Sequence, residues 1–197
     1  MKYLIRSVLT FIVMSVLTGL VYPFIVSGIS NLTMNYQAQG SLIRSNDRIV
    51  GSRLIGQDFS GPAYFHGRPS ALPKPYDASN SGGSNAGPSN SSFLKDVTAR
   101  VASLRTENGL ESATPLPADL VLASASGLDP HISVQSALVQ KARVARERGL
   151  SGEIVEKTIE RVAQKQYFWA DTMVNVLELN LAMDNLSKKT DAHGGNK

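Results

Sequence analysis

One uninterrupted apolar run, residues 7–29, limits what this chain can fold into more than any other feature of its sequence. No charged side chain occurs within it, and the next charged residue along the chain is Arg44. Helical residues rise about 1.5 Å each, so a run of this length spans roughly 34 Å and can cross a hydrocarbon core of about 30 Å. We therefore predict a transmembrane helix over residues 7–29 and a membrane-tethered protein.

The basic residues beside the run predict its orientation. Lys2 and Arg6 precede it, whereas no lysine or arginine occurs in the fourteen residues that follow it. The positive-inside rule then places residues 1–6 in the cytoplasm and the chain beyond the run on the opposite side of the membrane. A cleaved signal peptide is the alternative, but its apolar region is usually only about 7–15 residues long. We therefore expect a retained anchor.

The run also carries a pattern that favours contact with another helix. Ser15, Gly19 and Pro23 recur every four residues and so lie along one stripe of a helix. Small residues at Ser15 and Gly19 let a second helix approach closely, and Pro23 predicts a kink in the outer third. Small residues are also common in any membrane helix, so both interpretations stay open here. One helix cannot enclose a pore, so a transport role would be that of an accessory to other helices.

Composition excludes several functions for the rest of the chain. There is no cysteine, which excludes thiol catalysis and Cys-based metal sites and leaves packing to hold the domain together. The net charge is +4, and charges of both signs are interspersed. A nucleic-acid surface would show a basic patch or stripe, so we expect no nucleic-acid partner.

The remaining pattern predicts an α+β fold: one transmembrane helix followed by a single extracytoplasmic domain with a small sheet and about three helices. The predicted regions are a cytoplasmic N-terminus (1–6), the transmembrane helix (7–29), a juxtamembrane linker (30–48), the extracytoplasmic domain (49–186) and a disordered tail (187–197). Within the domain we predict strands over 49–59 and 120–122, and over 174–181 either a strand or a short helix. Predicted helices cover 88–105, the segment from Asp129 and Pro130 to Gly149, and the segment after Ser151.

Residues 66–90 form a segment of a different kind. Of these 25 residues, 16 are Gly, Pro, Ser or Asn, which favour turns and leave no regular element. A loop of this length inside a domain is typically functional or disordered. The aromatic residues Tyr64, Phe65 and Tyr76 favour an ordered loop that lies over a surface. The candidates for contact with a partner are His66, Arg68, Ser81, Gly82, Gly83 and Asn85.

Motifs for ATP hydrolysis and ion selection do not occur in the sequence. It contains no Gly-x-x-x-x-Gly-Lys-Ser/Thr phosphate loop, no Asp-Lys-Thr-Gly phosphorylation site and no Thr-Val-Gly-Tyr-Gly potassium filter. We therefore expect an accessory chain rather than an enzyme.

Two other kinds of chemistry are open to its residue types. His66, Asp129 and His131 could hold zinc, although they lack a typical ligand spacing. Ser126 and His131, with Asp119 or Asp129, supply the groups of a nucleophilic hydrolase without the Gly-x-Ser-x-Gly turn that exposes a nucleophile. A membrane-anchored extracytoplasmic hydrolase or binding module is therefore the alternative function, while Asp129 as a helix cap is the structural interpretation.

Several strings occur together along the chain. They include Gly51-Ser52-Arg53-Leu54-Ile55-Gly56-Gln57, Tyr64-Phe65-His66-Gly67-Arg68-Pro69-Ser70-Ala71, Ser126-Gly127-Leu128-Asp129-Pro130-His131-Ile132-Ser133 and Val174-Asn175-Val176-Leu177-Glu178-Leu179-Asn180-Leu181. Through these strings the chain resembles the C subunit of the Kdp potassium-transporting ATPase. The similarity extends from the anchor to about Leu186. The string that begins at Ser126 is the specific one.

The resemblance implies a high-affinity, ATP-driven potassium uptake pump of the bacterial plasma (inner) membrane. In that family a channel-like A subunit carries the ion, a P-type B subunit hydrolyses ATP, and a small F subunit lies alongside. The C subunit is a single-span accessory with its domain outside. The complex then handles ATP and potassium, and this chain binds no cofactor stably.

The resemblance also implies how the subunit acts. It assists assembly and is a catalytic chaperone that raises the affinity of the B subunit for ATP. Ser136-Ala137-Leu138-Val139-Gln140 matches a stretch likened to the signature loop of ABC transporters, which suggests a nucleotide link at Gln140. The predicted topology places Gln140 outside and ATP inside. An effect on ATP affinity would then travel through the anchor or the A subunit as a coupling free energy.

One stretch departs from the family pattern. Gly and Pro usually precede the Val-Asn-Val strand, whereas this chain has Phe168-Trp169-Ala170-Asp171-Thr172-Met173. We expect a different local turn there.

Overall fold

The computed structural model describes residues 1–45, 47–165 and 171–194. It has the mixed helix and sheet composition that the sequence predicts. The chain divides into two units, Met1–Ser52 and Arg53–Lys197, and each is described by itself below. The predicted departure around Trp169 lies outside the described residues.

The first unit begins with one long apolar helix over Lys2–Thr33, whose side chains are not buried. It consists of α1 (Lys2–Val16), a π-helical turn (Leu17–Val21) and α2 (Tyr22–Thr33). In the turn, the Tyr22 N–H donates to the Leu17 carbonyl, five residues back. Pro23 explains this turn, because proline has no N–H and its ring collides with the carbonyl four residues earlier, here that of Gly19. The kink that we predicted in the outer third stays a prediction.

A short helix and a β-hairpin follow. They are α3 (Asn35–Ala38), β1 (Leu42–Ser45) and β2 (Arg48–Ser52), with the two strands antiparallel. Part of the predicted linker is therefore a hairpin. The strand that we predicted over 49–59 ends at Ser52, so its second half is wrong.

The second unit contains five helices and a three-stranded sheet among its described residues. The helices are α4 (Ser91–Asn108), α5 (Ala118–Val121), α6 (Val134–Arg148), α7 (Gly152–Val162) and α8 (Val176–Gly194). The strands β3 (His131–Ser133), β4 (Gln164–Lys165) and β5 (Thr172–Asn175) form an antiparallel sheet in the order β3-β5-β4. Residues 53–90 contain no helix or strand, which confirms the long irregular segment.

Helix ends in this unit follow the capping residues. Asn90 accepts hydrogen bonds from the N–H groups of Ser92 and Phe93 and so caps α4. The predictions for Gly149 and Ser151 are confirmed. Gly149 ends α6 in the left-handed conformation (φ +62°), and the Ser151 hydroxyl caps α7.

The predicted start of α6 at Asp129 and Pro130 is wrong. Asp129 Oδ1 accepts from the His131 N–H in a local turn, 3.0 Å apart, and residues 131–133 pair with β5. Ile132 is fully buried in that pairing, and burial of an apolar side chain outweighs a helix-start signal. Ser133 supplies the cap instead, and α6 begins at Val134.

Two predicted strands are also corrected. Residues 118–121 form one helical turn, α5, because Pro117 presets the backbone before it and Leu120 and Val121 are buried from that turn. The strand predicted over 174–181 ends at Asn175. There the Asn175 side chain accepts from the Glu178 N–H and begins α8.

Helix α8 continues through most of the segment predicted to be a disordered tail. It ends at Gly194, whereas we predicted disorder from residue 187. Once a helix is nucleated, each further residue adds one hydrogen bond, so a polar segment can extend a packed helix.

The core of the second unit includes a residue from the irregular segment. Phe65 is fully buried, and it lies in a cluster with apolar side chains from the sheet and from α6, α7 and α8. Burying each such side chain stabilises the fold by roughly 1.5–3 kcal/mol. Phe65 therefore draws the irregular chain into the interior. Its neighbours in the cluster include Ile132, Val144, Val155, Ile159, Val174, Leu179 and Met183.

Candidate functional site

Gln140, the residue with a suggested nucleotide link, is buried inside the second unit. Its Oε1 accepts from the His66 N–H at 2.8 Å and from Arg143 Nη2 at 2.9 Å. Its Nε2 donates to the carbonyls of His66 and Ser136 at 3.1 and 3.3 Å. A primary amide has two acceptor and two donor positions, so Gln140 has none left for a ligand. Only 1% of the residue is exposed.

Asn180 on α8 holds Phe65, the residue before His66, in the same way. Its Oδ1 accepts from the Phe65 N–H at 2.8 Å, and its Nδ2 donates to the Phe65 carbonyl at 2.9 Å. Two consecutive residues of irregular chain are thus paired with two buried amides on different helices. We call Gln140 and Asn180 the amide clamp.

Arg143 extends the clamp to the residues just before Phe65. Its Nη1 donates to the carbonyls of Pro62 and Tyr64, the latter at 2.9 Å. Its Nε lies 3.1 Å from Asn108 Oδ1 and 3.3 Å from Glu107 Oε1. Burial lowers the pKa of the guanidinium, while the Glu107 charge acts in the opposite direction. With 1% of its side chain exposed, Arg143 is a structural cation.

Arg148 fixes the same segment from the end of α6. Its Nε donates to the Ala63 carbonyl at 2.6 Å, and its Nη2 lies 2.9 Å from Asp184 Oδ1. Its guanidinium also lies over the Tyr64 ring, 4.8 Å from the ring centre. Side chains of α6 and α8 therefore bond to all five carbonyls of residues 62–66 and to the N–H groups of Phe65 and His66. The Tyr64 N–H donates to the Gly61 carbonyl instead.

The two histidines considered for a metal site lie in separate hydrogen-bonding environments. His66 Nδ1 is 2.9 Å from Glu107 Oε1, and its Nε2 is 3.0 Å from the Gly61 carbonyl. His131 Nδ1 is 3.8 Å from Asp129, and burial lowers the pKa of His131 against the opposing charge of that carboxylate. In the part of the chain that the structure describes, no group of three or more His, Asp or Glu residues could hold a metal ion.

The residues of the hydrolase alternative have other partners. Asp119 accepts from the Ser133 N–H at 2.7 Å and from the Ser136 hydroxyl at 2.6 Å, which fixes the start of α6. The Ser126 hydroxyl accepts from the Leu128 N–H at 3.1 Å in a local turn. These contacts do not assemble a nucleophile with a base and its orienting group.

The irregular chain is hydrogen-bonded to backbone carbonyls of the segment at residues 126–131. The Gly82 N–H donates to the Ser126 carbonyl at 2.9 Å, the Ser70 hydroxyl donates to the Gly127 carbonyl at 2.9 Å, and the Gly56 N–H donates to the Leu128 carbonyl at 2.8 Å. We call residues 126–131 the docking segment. It serves as a frame on which three parts of the irregular chain are fixed.

Gly127 is required at its position for two reasons. Its φ is +70°, a conformation that L side chains rarely adopt, and an added Cβ would lie 2.6 Å from Leu72 Cγ. The family string that begins at Ser126 therefore has a packing explanation.

Arg68 and Asp129 join the docking segment to the loop by charge. Arg68 Nη1 lies 3.1 Å from Asp129 Oδ2, and its Nη2 lies 3.5 and 3.4 Å from the carbonyls of Leu122 and Ala123. Both charged side chains are about one quarter exposed. The two terminal nitrogens of Arg68, a candidate for partner contact, thus already have partners within the unit.

Tyr76 locks the middle of the loop. It has a φ of +57°, and its ring fills space beside Gly56, where an added Cβ would be 2.4 Å from the ring. Its hydroxyl donates to the Arg68 carbonyl at 2.6 Å. Burial, followed by the charges of Asp129 and Asp58, raises the pKa of Tyr76 to about 12.

The other loop candidates differ in exposure. Ser81 and Asn85 are exposed, whereas Gly82 is partly covered by the docking segment and Gly83 by Ala125 just before it. Only Ser81 and Asn85 thus present exposed side chains for a partner.

Sequence reasoning missed Asn180 of the amide clamp, and it missed Arg143 and Asn108 beside the clamp. A signal was present, since Gln140 and Arg143 lie at helical spacing on the same face as Val144, the buried face of α6. Polar residues on a core-facing stripe need buried partners, and irregular chain nearby supplies them.

These features define a class: an α+β protein with one apolar N-terminal helix and a domain whose buried polar side chains hold its own irregular chain. A sequence model described as "KdpC: K+-transporting ATPase, c chain" matches residues 4–185. Relatives named potassium-transporting ATPase KdpC subunit cover nearly the whole chain. That of Koribacter versatilis is 46% identical over 185 residues, 93% of this chain and 94% of the relative.

Two further relatives with this name agree. The one from Geobacter sulfurreducens is 48% identical over 190 residues, 94% of this chain and 99% of the relative. The one from Polaromonas naphthalenivorans is 47% identical over 198 residues, 98% of this chain and 100% of the relative. The chain therefore belongs to the KdpC family of potassium-transporting ATPase subunits. The family and the apolar helix together indicate membrane association.

Proposed function

We propose that this chain is a non-catalytic accessory subunit of a high-affinity potassium uptake pump. It works beside a channel-like A subunit, an ATP-hydrolysing B subunit and a small F subunit. In this proposal it assists assembly and raises the affinity of the B subunit for ATP. The observation that carries the proposal is the family match over residues 4–185. The environment of Gln140, whose amide is fully used within the fold, bears on how the subunit acts.

The state of Gln140 determines how an effect on ATP affinity would arise. A direct contact with nucleotide would require the amide to leave four hydrogen bonds and the chain to open around it. An indirect effect requires only that the folded subunit favours the ATP-binding state of its neighbour, which is a coupling free energy between two sites. We therefore propose an indirect catalytic chaperone.

Omitting the subunit from the pump tests this function. The complex is purified with and without this chain, and the KM for ATP and the potassium-stimulated ATPase rate are measured. We expect a higher KM for ATP when the chain is absent, and restoration when the purified full chain is added back. An unchanged KM with intact A and B subunits would contradict the chaperone role.

The proposed location is the bacterial inner membrane, with residues 1–6 inside and the second unit outside. Lys2 and Arg6 support this orientation. The absence of cysteine makes a labelling test clean, because a single introduced thiol is the only reactive one. Ser89→Cys should react with an impermeant maleimide in intact cells, and Tyr3→Cys only after lysis. The reverse pattern would contradict the orientation.

We also propose that the anchor stripe Ser15, Gly19 and Pro23 contacts a helix of another subunit. An added Cβ at Gly19 or at Gly28 meets nothing within 4 Å in the isolated chain, so the two positions form a matched pair. Gly19→Leu should reduce copurification of the other subunits, whereas Gly28→Leu, off the stripe, should not. If both variants copurify with the other subunits equally well, the stripe does not form this contact.

The exposed part of the long loop is the proposed contact with the A subunit. Ser81 and Asn85 are exposed, while His66 and Arg68 act by holding the loop in place. A thiol-reactive crosslinker at Asn85→Cys should capture the A subunit, and one at the exposed Glu153→Cys on α7 serves as the control. Capture from both positions, or from neither, would contradict this contact.

A further inference from the structure

The first unit contains a crevice, lined by polar and apolar groups, that none of the preceding roles uses. Its volume is about 210 Å³, more than ten times what one ordered water requires, so it has room for a phosphate group. Three polar side chains of the short helix and its end line one side: Asn35, Tyr36 and Gln39. Leu42 and Arg44 of β1 line the other.

Among the residues that the structure describes, Arg44 is the only charged one that lines the crevice. It is exposed, and none of the described residues forms an ion pair or a side-chain hydrogen bond with its guanidinium. A guanidinium offers five N–H donors in a planar fork that matches a phosphate group. The Gln39 amide adds further donors, as does the second N–H of the Asn35 amide, whose first N–H donates to the Asn31 carbonyl at 3.4 Å. This donor set suits a phosphate monoanion.

The position of the crevice along the chain sets its depth relative to a membrane. Asn35 lies six residues after the end of the charge-free run, at most about 9 Å along a helix. The headgroup region on each side of a bilayer is roughly 5–8 Å thick. Asn35 therefore lies at the outer edge of the headgroup region when the run spans the hydrocarbon core.

The surroundings of the crevice suit acyl chains and the membrane interface. Leu32 is 87% exposed and Met34 is 55% exposed, both just before the crevice, and Ile49 is paired with Arg44 across the hairpin and is 54% exposed. Tyr36 is a typical residue of the membrane–water boundary. Exposed apolar side chains thus directly precede the crevice in the chain, and one is paired with Arg44 across the hairpin.

We propose that this crevice binds the phosphate of an anionic phospholipid through Arg44. A phosphatidylglycerol-like headgroup fits, with its phosphate on the guanidinium and its glycerol hydroxyls on the amides of Asn35 and Gln39. Its acyl chains then lie along Leu32 and Met34. The proposal needs only the membrane helix, so it stands apart from the role of the subunit in the pump and from its orientation.

Native mass spectrometry of the full chain tests the proposal. The chain is released from neutral-detergent micelles that contain small equal amounts of phosphatidylglycerol and phosphatidylcholine, at an ionic strength of about 0.15 M, which screens diffuse attraction beyond about 8 Å. We expect one retained phosphatidylglycerol, favoured about tenfold over phosphatidylcholine.

Arg48→Gln is the matched control for Arg44→Gln. Both arginines are exposed on the same hairpin, but only Arg44 lines the crevice. Arg44→Gln should lose the preference for phosphatidylglycerol, Arg48→Gln should keep it within about twofold, and Arg44→Lys should keep part of it, since a single point charge replaces the fork. Far-UV circular dichroism checks that each variant is folded.

Four results would overturn the proposal. Equal losses in the Arg44 and Arg48 variants would show diffuse charge attraction rather than a site, and equal retention of the two lipids would show that no anion is selected. Displacement of the lipid by inorganic phosphate, with the same dependence on Arg44, would assign the crevice to free phosphate. In the purified pump, loss of the Arg44-dependent lipid would show that a neighbouring subunit fills the crevice.

Discussion

Residues 62–66 and residues 77–90 are both irregular chain in the second unit, but they are held in different ways. Side chains of α6 and α8 reach the first segment and satisfy its backbone groups in the interior. The second segment is mostly exposed and bonds to itself, as Asp77 does with Ser79 and Asn80, or to the backbone of the docking segment.

The difference shows what makes irregular chain rigid. Buried backbone N–H and C=O groups must find partners, and without a helix or strand only side chains can supply them. A buried side-chain amide can accept from the N–H and donate to the C=O of one residue. It thereby makes the two hydrogen bonds that a neighbouring strand would make at that position. We infer that the clamped segment is a fixed part of the core, while the exposed segment is available for contact with a partner.

The largest effect expected from this comparison is the loss of Arg143. Arg143→Met should lower the free energy of unfolding by about 3–5 kcal/mol, because it leaves several buried acceptors and Glu107 without their cation. Arg146→Met, on the same helix with a side chain that is 63% exposed, should change it by no more than about 0.5 kcal/mol. Urea denaturation of the full chain in detergent measures both. Equal, small losses would show that the clamp contributes little.

A smaller effect is expected where the docking segment meets the loop. Gly127→Ala should destabilise the chain by about 2–3 kcal/mol, since it combines an unfavourable φ with a close contact to Leu72. Gly149→Ala has a similar φ of +62° with nothing within 4 Å, so it should cost only about 1 kcal/mol. The difference between these two variants isolates the contact. The same urea titration measures it, and equal costs would mean that the loop does not press on Gly127.

The smallest effect concerns Tyr76 and appears mainly at high pH. Its raised pKa means that the folded state keeps the phenol proton between about pH 10 and 12, whereas the unfolded state loses it. This contribution to stability is complete below pH 10 and is lost as pH rises through 12.

Tyr76→Phe tests that contribution directly. It should cost about 1 kcal/mol at neutral pH through the lost bond to the Arg68 carbonyl. Its stability should also fall less steeply than that of the native chain between about pH 10 and 12. Unfolding midpoints measured across this range check both points, and identical slopes would place Tyr76 in contact with solvent.

The sequence predicted those features of the fold that depend on local residue types. The charge-free run defined the apolar helix, Gly149 and Ser151 marked helix ends, and the density of Gly, Pro, Ser and Asn marked the irregular segment. Each of these signals acts within a few residues of its own position.

The errors arose where distant partners decide the structure. Asp129 has the local pattern of a helix start, but pairing of Ile132 with Val174, 42 residues away, makes a strand there. The clamp joins Phe65 to Asn180, 115 residues apart, and no local sequence pattern predicts such a pair. Gln140 was singled out through a resemblance, and the structure gives it a hydrogen-bonding role that the resemblance did not include.

The central claim is that Gln140 acts as one half of a clamp and not as a nucleotide contact. The direct test compares Gln140→Ala with Asn180→Ala in the purified pump, with Gln135→Ala, an exposed glutamine on the same helix, as control. The KM for ATP is measured beside the unfolding free energy of each subunit variant. We predict that the two clamp variants lose similar stability and shift the KM for ATP by similar factors, while Gln135→Ala changes neither. An increased KM in Gln140→Ala alone, with Asn180→Ala equally destabilised but unchanged in KM, would contradict the claim.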